Sequence, residues 1–87
     1  MSDLTYKHRR VDALTLVMKQ KFAEKEPRPS WRETPHDLSV YRSWLLTEVA
    51  ELVSATPEES LREAADVANL ALIYADVKRR AAGIVDE

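Results

Sequence analysis

The sequence predicts an all-α fold, in which a subunit of three helices assembles into an oligomeric helical bundle. Strand signals are almost absent, because the chain has one glycine, Gly83, and no Asn-Gly or Asp-Gly turn. Apolar residues instead recur at helical spacing in three segments that proline-containing breaks separate. We therefore expect one domain, residues 1–87, with helices over approximately residues 3–24, 35–55 and 57–82.

The first predicted helix spans residues 3–24 and has apolar side chains on one face. This apolar stripe consists of Val11, Leu14, Met18 and Phe22. The helix ends before Pro27 and Pro29, each of which disfavours helix in the residue that precedes it. The sequence therefore predicts an irregular connection between the first and second helices.

The second predicted helix begins at a threonine–proline pair and ends near Ala55. Thr34 is a typical N-cap, and Pro35 fits the first helical position, where its missing N–H costs nothing. The apolar stripe of this helix consists of Leu38, Tyr41, Leu45, Val49 and Leu52.

The third predicted helix begins with the same signature and follows the second closely. Thr56 and Pro57 form the cap and the first position, and Glu59 completes a capping box. A connection this short makes the second and third helices antiparallel neighbours. Gly83 is a typical helix-terminating residue, so the third helix should end just before it.

Almost every residue of the third helix between Val67 and Val77 is apolar. A helix that is apolar on all sides must be covered on all sides, and two other short helices cannot easily do that. We therefore expect a homodimer, or a dimer of dimers, with the third helices at or near the interface. Asn69 interrupts the apolar run, and it serves either a structural hydrogen bond or a ligand contact.

Four acidic residues form two pairs at the same spacing on the second and third helices. The pairs are Glu48 with Glu51 and Glu63 with Asp66, which we call the acidic quartet. Residues three apart lie on one face of a helix, and the short turn brings both pairs to a similar level. Carboxylates this close repel one another unless a proton or a cation neutralises them, and oxygen ligands suit Mg²⁺. The alternative is that the four side chains only line a solvated surface.

Composition excludes several classes of partner. The net charge is −2, from 13 basic and 15 acidic residues, whereas nucleic-acid binding needs a basic surplus, so we expect no nucleic-acid partner. No apolar run is long enough to cross a bilayer, so we expect no membrane partner. The chain has no cysteine, which is typical of a reducing compartment, and we expect a cytoplasmic protein.

The acidic quartet, followed by Val67-Ala68-Asn69, resembles the MazG-like branch of the all-α nucleoside triphosphate pyrophosphohydrolases. That superfamily also contains the dimeric dUTPases, the dCTP pyrophosphatases and the phosphoribosyl-ATP pyrophosphohydrolases. The resemblance extends from about residue 14 to residue 77. The gap of eleven residues between the two acidic pairs lies at the short edge of what the family shows. The chain also lacks the His-Lys-Gly-Gly-Trp stretch of many relatives, of which only Trp31 matches here.

The resemblance implies an enzyme that hydrolyses a nucleoside triphosphate to the monophosphate and pyrophosphate, with Mg²⁺ or, as a substitute, Mn²⁺. It implies that Glu48, Glu51, Glu63 and Asp66 are the metal ligands and the catalytic residues. Among the substrate-binding candidates, Asn69 matches a family position near the nucleotide, and Trp31 is preferred to Trp44 for stacking on the base. Lys78 and Arg79 either contact phosphates or only compensate the helix dipole.

A different class of function stays open beside the enzyme. The chain can also be a non-catalytic helical module, derived from the same family, that dimerises or binds a nucleotide without turnover. The complete acidic quartet favours the enzyme, because a module without catalysis has no need of four carboxylates that repel one another. The base and the sugar of the nucleotide are not readable from the residues.

Overall fold

A computed structural model describes residues 3–25 and 30–84, and in these ranges the chain forms three helices and no strand. The helices are α1 (Asp3–Glu24), α2 (Leu38–Ser54) and α3 (Ser60–Ala81). The predicted all-α class is confirmed, whereas the break at Pro27 and Pro29 lies outside the described residues. None of the described helices combines the length and the apolar character that crossing a membrane requires.

The second helix begins three residues later than predicted, at Leu38 instead of Pro35. The backbone ahead of it is held away from helical geometry, because the His36 N–H donates to the Tyr41 hydroxyl at 2.9 Å. Asp37 then occupies the N-cap position with φ −58° and ψ 147°, and its side chain makes no capping hydrogen bond. The threonine–proline pair therefore lies in the connection and does not start the helix.

The third helix also begins three residues late, at Ser60 instead of Pro57, although the predicted threonine cap is present. The Thr56 hydroxyl accepts the Glu59 N–H at 3.3 Å, and the Thr56 carbonyl accepts the same N–H at 3.1 Å. These bonds close a tight turn over residues 56–59, which leads directly into the helix. The cap was predicted correctly, but it closes a separate turn.

The end of α3 is a Schellman motif around Gly83. The Gly83 N–H donates to the Arg80 carbonyl at 3.0 Å, and the Ile84 N–H donates to the Arg79 carbonyl at 3.0 Å. Gly83 has φ +82°, a conformation in which any other residue type would be strained. The chain is therefore turned away from the helix axis just after Ala81.

Helix α3 is the central element, because it packs against both α1 and α2. Within the described residues, no Cα atom of α1 comes within 8 Å of one in α2. Asp66 contacts Lys21 and Asn69 contacts Met18, so residue numbers fall along α3 as they rise along α1, and the two helices are antiparallel. Ala65, fully buried on α3, lets the neighbouring backbones approach closely.

The apolar residues of α3 between Val67 and Val77 do not form one continuous exposed surface. Leu70 and Ile73 line a cleft within the chain, whereas Leu72 points outward and is 48% exposed. Most of the exposed large apolar side chains among the described residues lie on the other two helices. They include Leu4, Tyr6, Val11 and Leu16 of α1 and Leu46, Val49 and Val53 of α2. The apolar surface left for a partner is therefore spread over all three helices, with the larger share outside α3.

Candidate metal centre and the adjoining cleft

Three members of the acidic quartet meet at one place between α2 and α3. One carboxylate oxygen each from Glu48, Glu63 and Asp66 lies within 4.8 Å of the other two, and all three residues are half-buried. Glu63 and Asp66 share a face of α3 because they are three residues apart. The tight turn over residues 56–59 folds α2 back along α3 and so places Glu48 opposite them.

The fourth member, Glu51, is exposed and lies outside the group of three. It forms a side-chain hydrogen bond with Glu48 one helical turn away. The acidic quartet therefore consists of three converging carboxylates and a fourth, Glu51, that is hydrogen-bonded to Glu48.

The pKa of Glu48 is raised from 4.5 to about 7, chiefly by burial. The hydrogen bond to Glu51 and the negative charges of Asp66, Glu51 and Glu63 contribute to the same rise. Near neutral pH this carboxyl group is therefore divided between its protonated and its ionised form. The site favours a bound positive charge, whether a proton or a metal ion.

Two carboxylate oxygens in this group, Glu48 Oε2 and Glu63 Oε2, are buried without a hydrogen-bond partner. A buried polar atom without a partner is costly, and native proteins satisfy most such atoms. A hard divalent cation between the carboxylates would satisfy both oxygens, and its preferred ligands are oxygens of this kind. The residues present therefore fit a metal such as Mg²⁺.

A lysine that the sequence analysis did not select reaches the same carboxylates from α1. Lys21 Nζ lies 3.0 Å from Asp66 Oδ1 and 3.1 Å from Oδ2, and the lysine side chain is only 13% exposed. The available signal was its spacing, because Lys21 lies three residues after Met18 and seven after Leu14, on their apolar stripe. A charged residue on such a stripe needs a buried partner.

A cleft of about 870 Å³ adjoins the carboxylates. Glu48 and Asp66 line its acidic part, and Asn69 lies nearby in its wall. The rest of the wall is rich in aromatic rings. These are Phe22, Trp31, His36, Tyr41 and Trp44. The cleft therefore joins a candidate metal centre to a surface on which a flat, aromatic group can stack.

Asn69 makes one structural hydrogen bond, and its side-chain oxygen has no hydrogen-bond partner. Its amide nitrogen donates to the Met18 carbonyl at 3.2 Å, which links α3 to α1. Its Oδ1 atom is buried without a hydrogen-bond partner, in a side chain that lines the cleft. Both alternatives from the sequence analysis thus have support, since the donor is used structurally and the acceptor is available to a ligand.

The two tryptophans of the cleft are held in different ways. The Trp31 indole N–H donates to Asp76 Oδ2 at 2.9 Å, and its ring centroid lies 5.5 Å from that of Phe22. Trp44 packs edge to face against His36 at 5.3 Å and against Tyr41 at 5.7 Å. Trp44 is 46% exposed, so it is a cleft residue as much as Trp31 is.

Lys78 and Arg79 lie away from the carboxylates and do not line the cleft. Lys78 is twelve residues beyond Asp66, which is about 18 Å along a helix. The Lys78 ammonium group lies 6.0 Å from the centre of the Tyr74 ring. Lys78 and Arg79 are both exposed in the last turns of α3. Their position fits compensation of the helix dipole.

Comparisons of the chain with protein-family models, with curated proteins and with solved structures returned no match. The resemblance of residues 14–77 to the MazG-like family therefore stays a prediction from the sequence. Any functional conclusion depends on the residue pattern and on the geometry of the carboxylates and the cleft.

Proposed function

We propose that this protein is a Mg²⁺-dependent nucleoside triphosphate pyrophosphohydrolase that acts in the cytoplasm. It would cleave a ribo- or deoxyribonucleoside triphosphate to the monophosphate and pyrophosphate. The observation that carries the proposal is the pair of buried carboxylate oxygens without partners, on Glu48 and Glu63, beside an aromatic cleft. A nucleotide with its metal ion has two complementary parts, a cation that the carboxylates can hold and a flat base that can stack on the aromatic rings.

Each side chain has a role in this reaction. Glu48, Glu63 and Asp66 would hold the cation, which supplies charge neutralisation for the triphosphate and acidifies the attacking water. Glu51 is exposed and hydrogen-bonded to Glu48, so it is the candidate for orienting that water toward the α-phosphorus. The water oxygen would form a bond to the α-phosphorus as the bond from that phosphorus to the oxygen shared with the β-phosphate breaks. Pyrophosphate would leave, and the proton lost by the water would pass to solvent.

The aromatic part of the cleft would bind the base. Trp31 and Trp44 offer ring faces for stacking, and the unpartnered Asn69 oxygen is an acceptor for a hydroxyl or N–H group of the nucleotide. Stacking alone is tolerant of the identity of the base, so the preferred base depends on such polar contacts.

The proposal includes a homodimer or a dimer of dimers. Leu46 and Val53 of α2 are 64% and 81% exposed in the single chain, and Val49 lies between them on the same helix face. A second copy that covers this face would bury apolar surface that the chain itself leaves in contact with water.

The direct test is a pyrophosphate-release screen of the eight common ribo- and deoxyribonucleoside triphosphates, with Mg²⁺ and with a chelator. We expect Mg²⁺-dependent release for at least one nucleotide. Glu63→Gln should lower the rate by at least about 100-fold, because losing a direct ligand should cost no less than losing a supporting group. Glu58→Gln, which changes an exposed carboxylate in the turn before α3, is the matched control.

Two results would contradict the enzyme. Release that persists in chelator would remove the metal from the mechanism. Nucleotide binding without release, for all eight substrates, would favour the non-catalytic module instead. Circular dichroism of each variant separates a lost site from a lost fold.

A further inference from the structure

Lys21 is a nearly buried ammonium group inside the candidate metal centre. It contacts both oxygens of Asp66, and its side chain is 13% exposed. Burying a charge in this way is costly unless the partner is well placed, and Lys21 does also link α1 to α3. A purely structural link would not need to lie within the group of carboxylates that converge on one point.

A divalent cation at the carboxylates would compete with Lys21 for Asp66. The ammonium group and the cation would repel each other at the few ångströms that separate ligands of one carboxylate. Lys21 would then need another anionic acceptor that is close enough for its side chain to reach. In a cleft that holds a nucleotide, phosphate oxygens are such groups.

The position of a neighbouring lysine, Lys25, also supports a phosphate site near the end of α1. Lys25 directly follows α1, four residues beyond Lys21, and it lines the cleft. Lys21 at Asp66 and Lys25 in the cleft wall therefore place two lysines beside the site near the end of α1. Lys78 and Arg79, the phosphate candidates from the sequence, are at the other end of α3.

We propose that Lys21 is a phosphate-binding residue, whose ammonium group exchanges Asp66 for a phosphate oxygen of the nucleotide when a divalent cation occupies the carboxylates. This inference rests on the proposed function, and it moves the phosphate contacts from the end of α3 to the end of α1. The phosphates would then lie between the cation, held by α2 and α3, and the lysines of α1.

The experiment measures two binding steps separately by calorimetry, first Mg²⁺ alone and then inorganic tripolyphosphate in saturating Mg²⁺. Tripolyphosphate has no base or sugar, so it reports phosphate contacts only. The variant is Lys21→Met, and Lys21→Arg restores the charge. Lys19→Met removes an exposed lysine two residues away and is the matched control.

We expect Lys21→Met to bind Mg²⁺ at least about fivefold more tightly, because a competing positive charge is gone. The same variant should bind tripolyphosphate at least about tenfold more weakly, because a charge-assisted hydrogen bond is lost. Lys21→Arg should return tripolyphosphate affinity to within about threefold of the wild type, and Lys19→Met should change neither step. Opposite changes in the two steps are not expected from a structural salt bridge.

Unchanged tripolyphosphate affinity in Lys21→Met, with normal Mg²⁺ binding, would overturn this inference and leave the proposed enzyme intact. A wild-type protein that binds no Mg²⁺ would overturn both. If Lys21→Met lowers the thermal midpoint, Lys21→Gln replaces it, since the amide still donates to Asp66 without the charge.

Discussion

Glu48 lies in an electrostatic conflict that a bound cation relieves. Its pKa is raised to about 7 by burial, by the hydrogen bond to Glu51 and by neighbouring carboxylates. Without a cation, the folded chain therefore holds a proton on Glu48 over a pH range in which the unfolded chain has lost it.

This conflict predicts how stability depends on pH in the absence of metal. Between pH 4.5 and about 7 the folded state binds more protons at Glu48 than the unfolded state does. The free energy of unfolding that Glu48 contributes therefore falls as pH rises through this window. Thermal midpoints in chelator should show wild type losing stability from pH 5 to pH 8 relative to Glu48→Gln, which cannot ionise.

Saturating Mg²⁺ should remove most of that difference, because a cation favours the ionised carboxylate. A difference in thermal midpoint between the wild type and Glu48→Gln that does not change with pH in chelator would contradict this role of Glu48. Glu58→Gln serves as the control for the loss of an exposed carboxylate.

Single residues also show where prediction from the sequence stops. The acidic pairs were identifiable because each pair depends only on spacing within one helix. Lys21 was not identified, because its contact with Asp66 joins residues 45 positions apart. Spacing along one helix shows which face a lysine occupies and does not show which helix lies opposite. Spacing likewise ranks Trp44 below Trp31 as a stacking residue, although Trp44 is 46% exposed and lines the cleft.

A hydrogen bond between Trp31 and Asp76 links the described part of the connection between α1 and α2 to α3. The Trp31 indole N–H donates to Asp76, and the Trp31 ring lies beside Phe22. This pair holds part of the aromatic wall of the cleft in place. The sequence predicted the helices well but could not fix where α2 begins, since that depends on the hydrogen bond between His36 and Tyr41.

Loss of the hydrogen bond between Trp31 and Asp76 should lower the affinity for the nucleotide more than it lowers the turnover rate. Trp31→Phe keeps an aromatic ring and loses the hydrogen bond, and Asp76→Ala removes the acceptor. Each should raise KM several-fold with little change in kcat. A double-mutant cycle on the free energy of unfolding should give a coupling of about 1.5–3 kcal/mol, which is typical of a hydrogen bond to a charged group.

Additive effects in that cycle would show that the two residues act independently, against this prediction. Asp76→Asn is the matched control, because its amide oxygen still accepts the indole N–H. Trp44 fluorescence in the Trp31→Phe variant reports whether the rest of the cleft is intact.

The whole molecule leaves apolar surface in water that a second copy can cover. The face of α2 that carries Leu46, Val49 and Val53 is exposed in the single chain. The sequence predicted an assembly from the apolar run of α3. Part of that run lines the cleft within the chain instead, because the helices on either side cover Leu70 and Ile73.

An aspartate on the exposed face of α2 should separate the copies without unfolding the chain. Val53 is 81% exposed, so Val53→Asp places its charge in water in the monomer but buries it in a dimer. We expect sedimentation velocity at micromolar concentration to give a dimer or tetramer for the wild type and a smaller species for Val53→Asp. Thr47→Asp, exposed on another side of α2, should keep the wild-type assembly.

A helical wild-type monomer at the same concentration would refute this assembly. It would leave the metal centre untouched, since the described carboxylates that converge all belong to one chain.

The wide separation of the α1 and α2 backbones has a consequence for how the chain opens. The converging carboxylates come from α2 and α3, and among the described helices the backbone of α1 lies close to that of α3 alone. Helix α1 can therefore detach as one cooperative unit while the α2–α3 hairpin stays closed. Mg²⁺ should slow amide hydrogen exchange in α2 and α3 and leave exchange in α1 unchanged or faster, because it frees Lys21 from Asp66. Adding tripolyphosphate should then slow amide hydrogen exchange in α1 as well, because bound phosphate would hold Lys21 and with it the first helix in place.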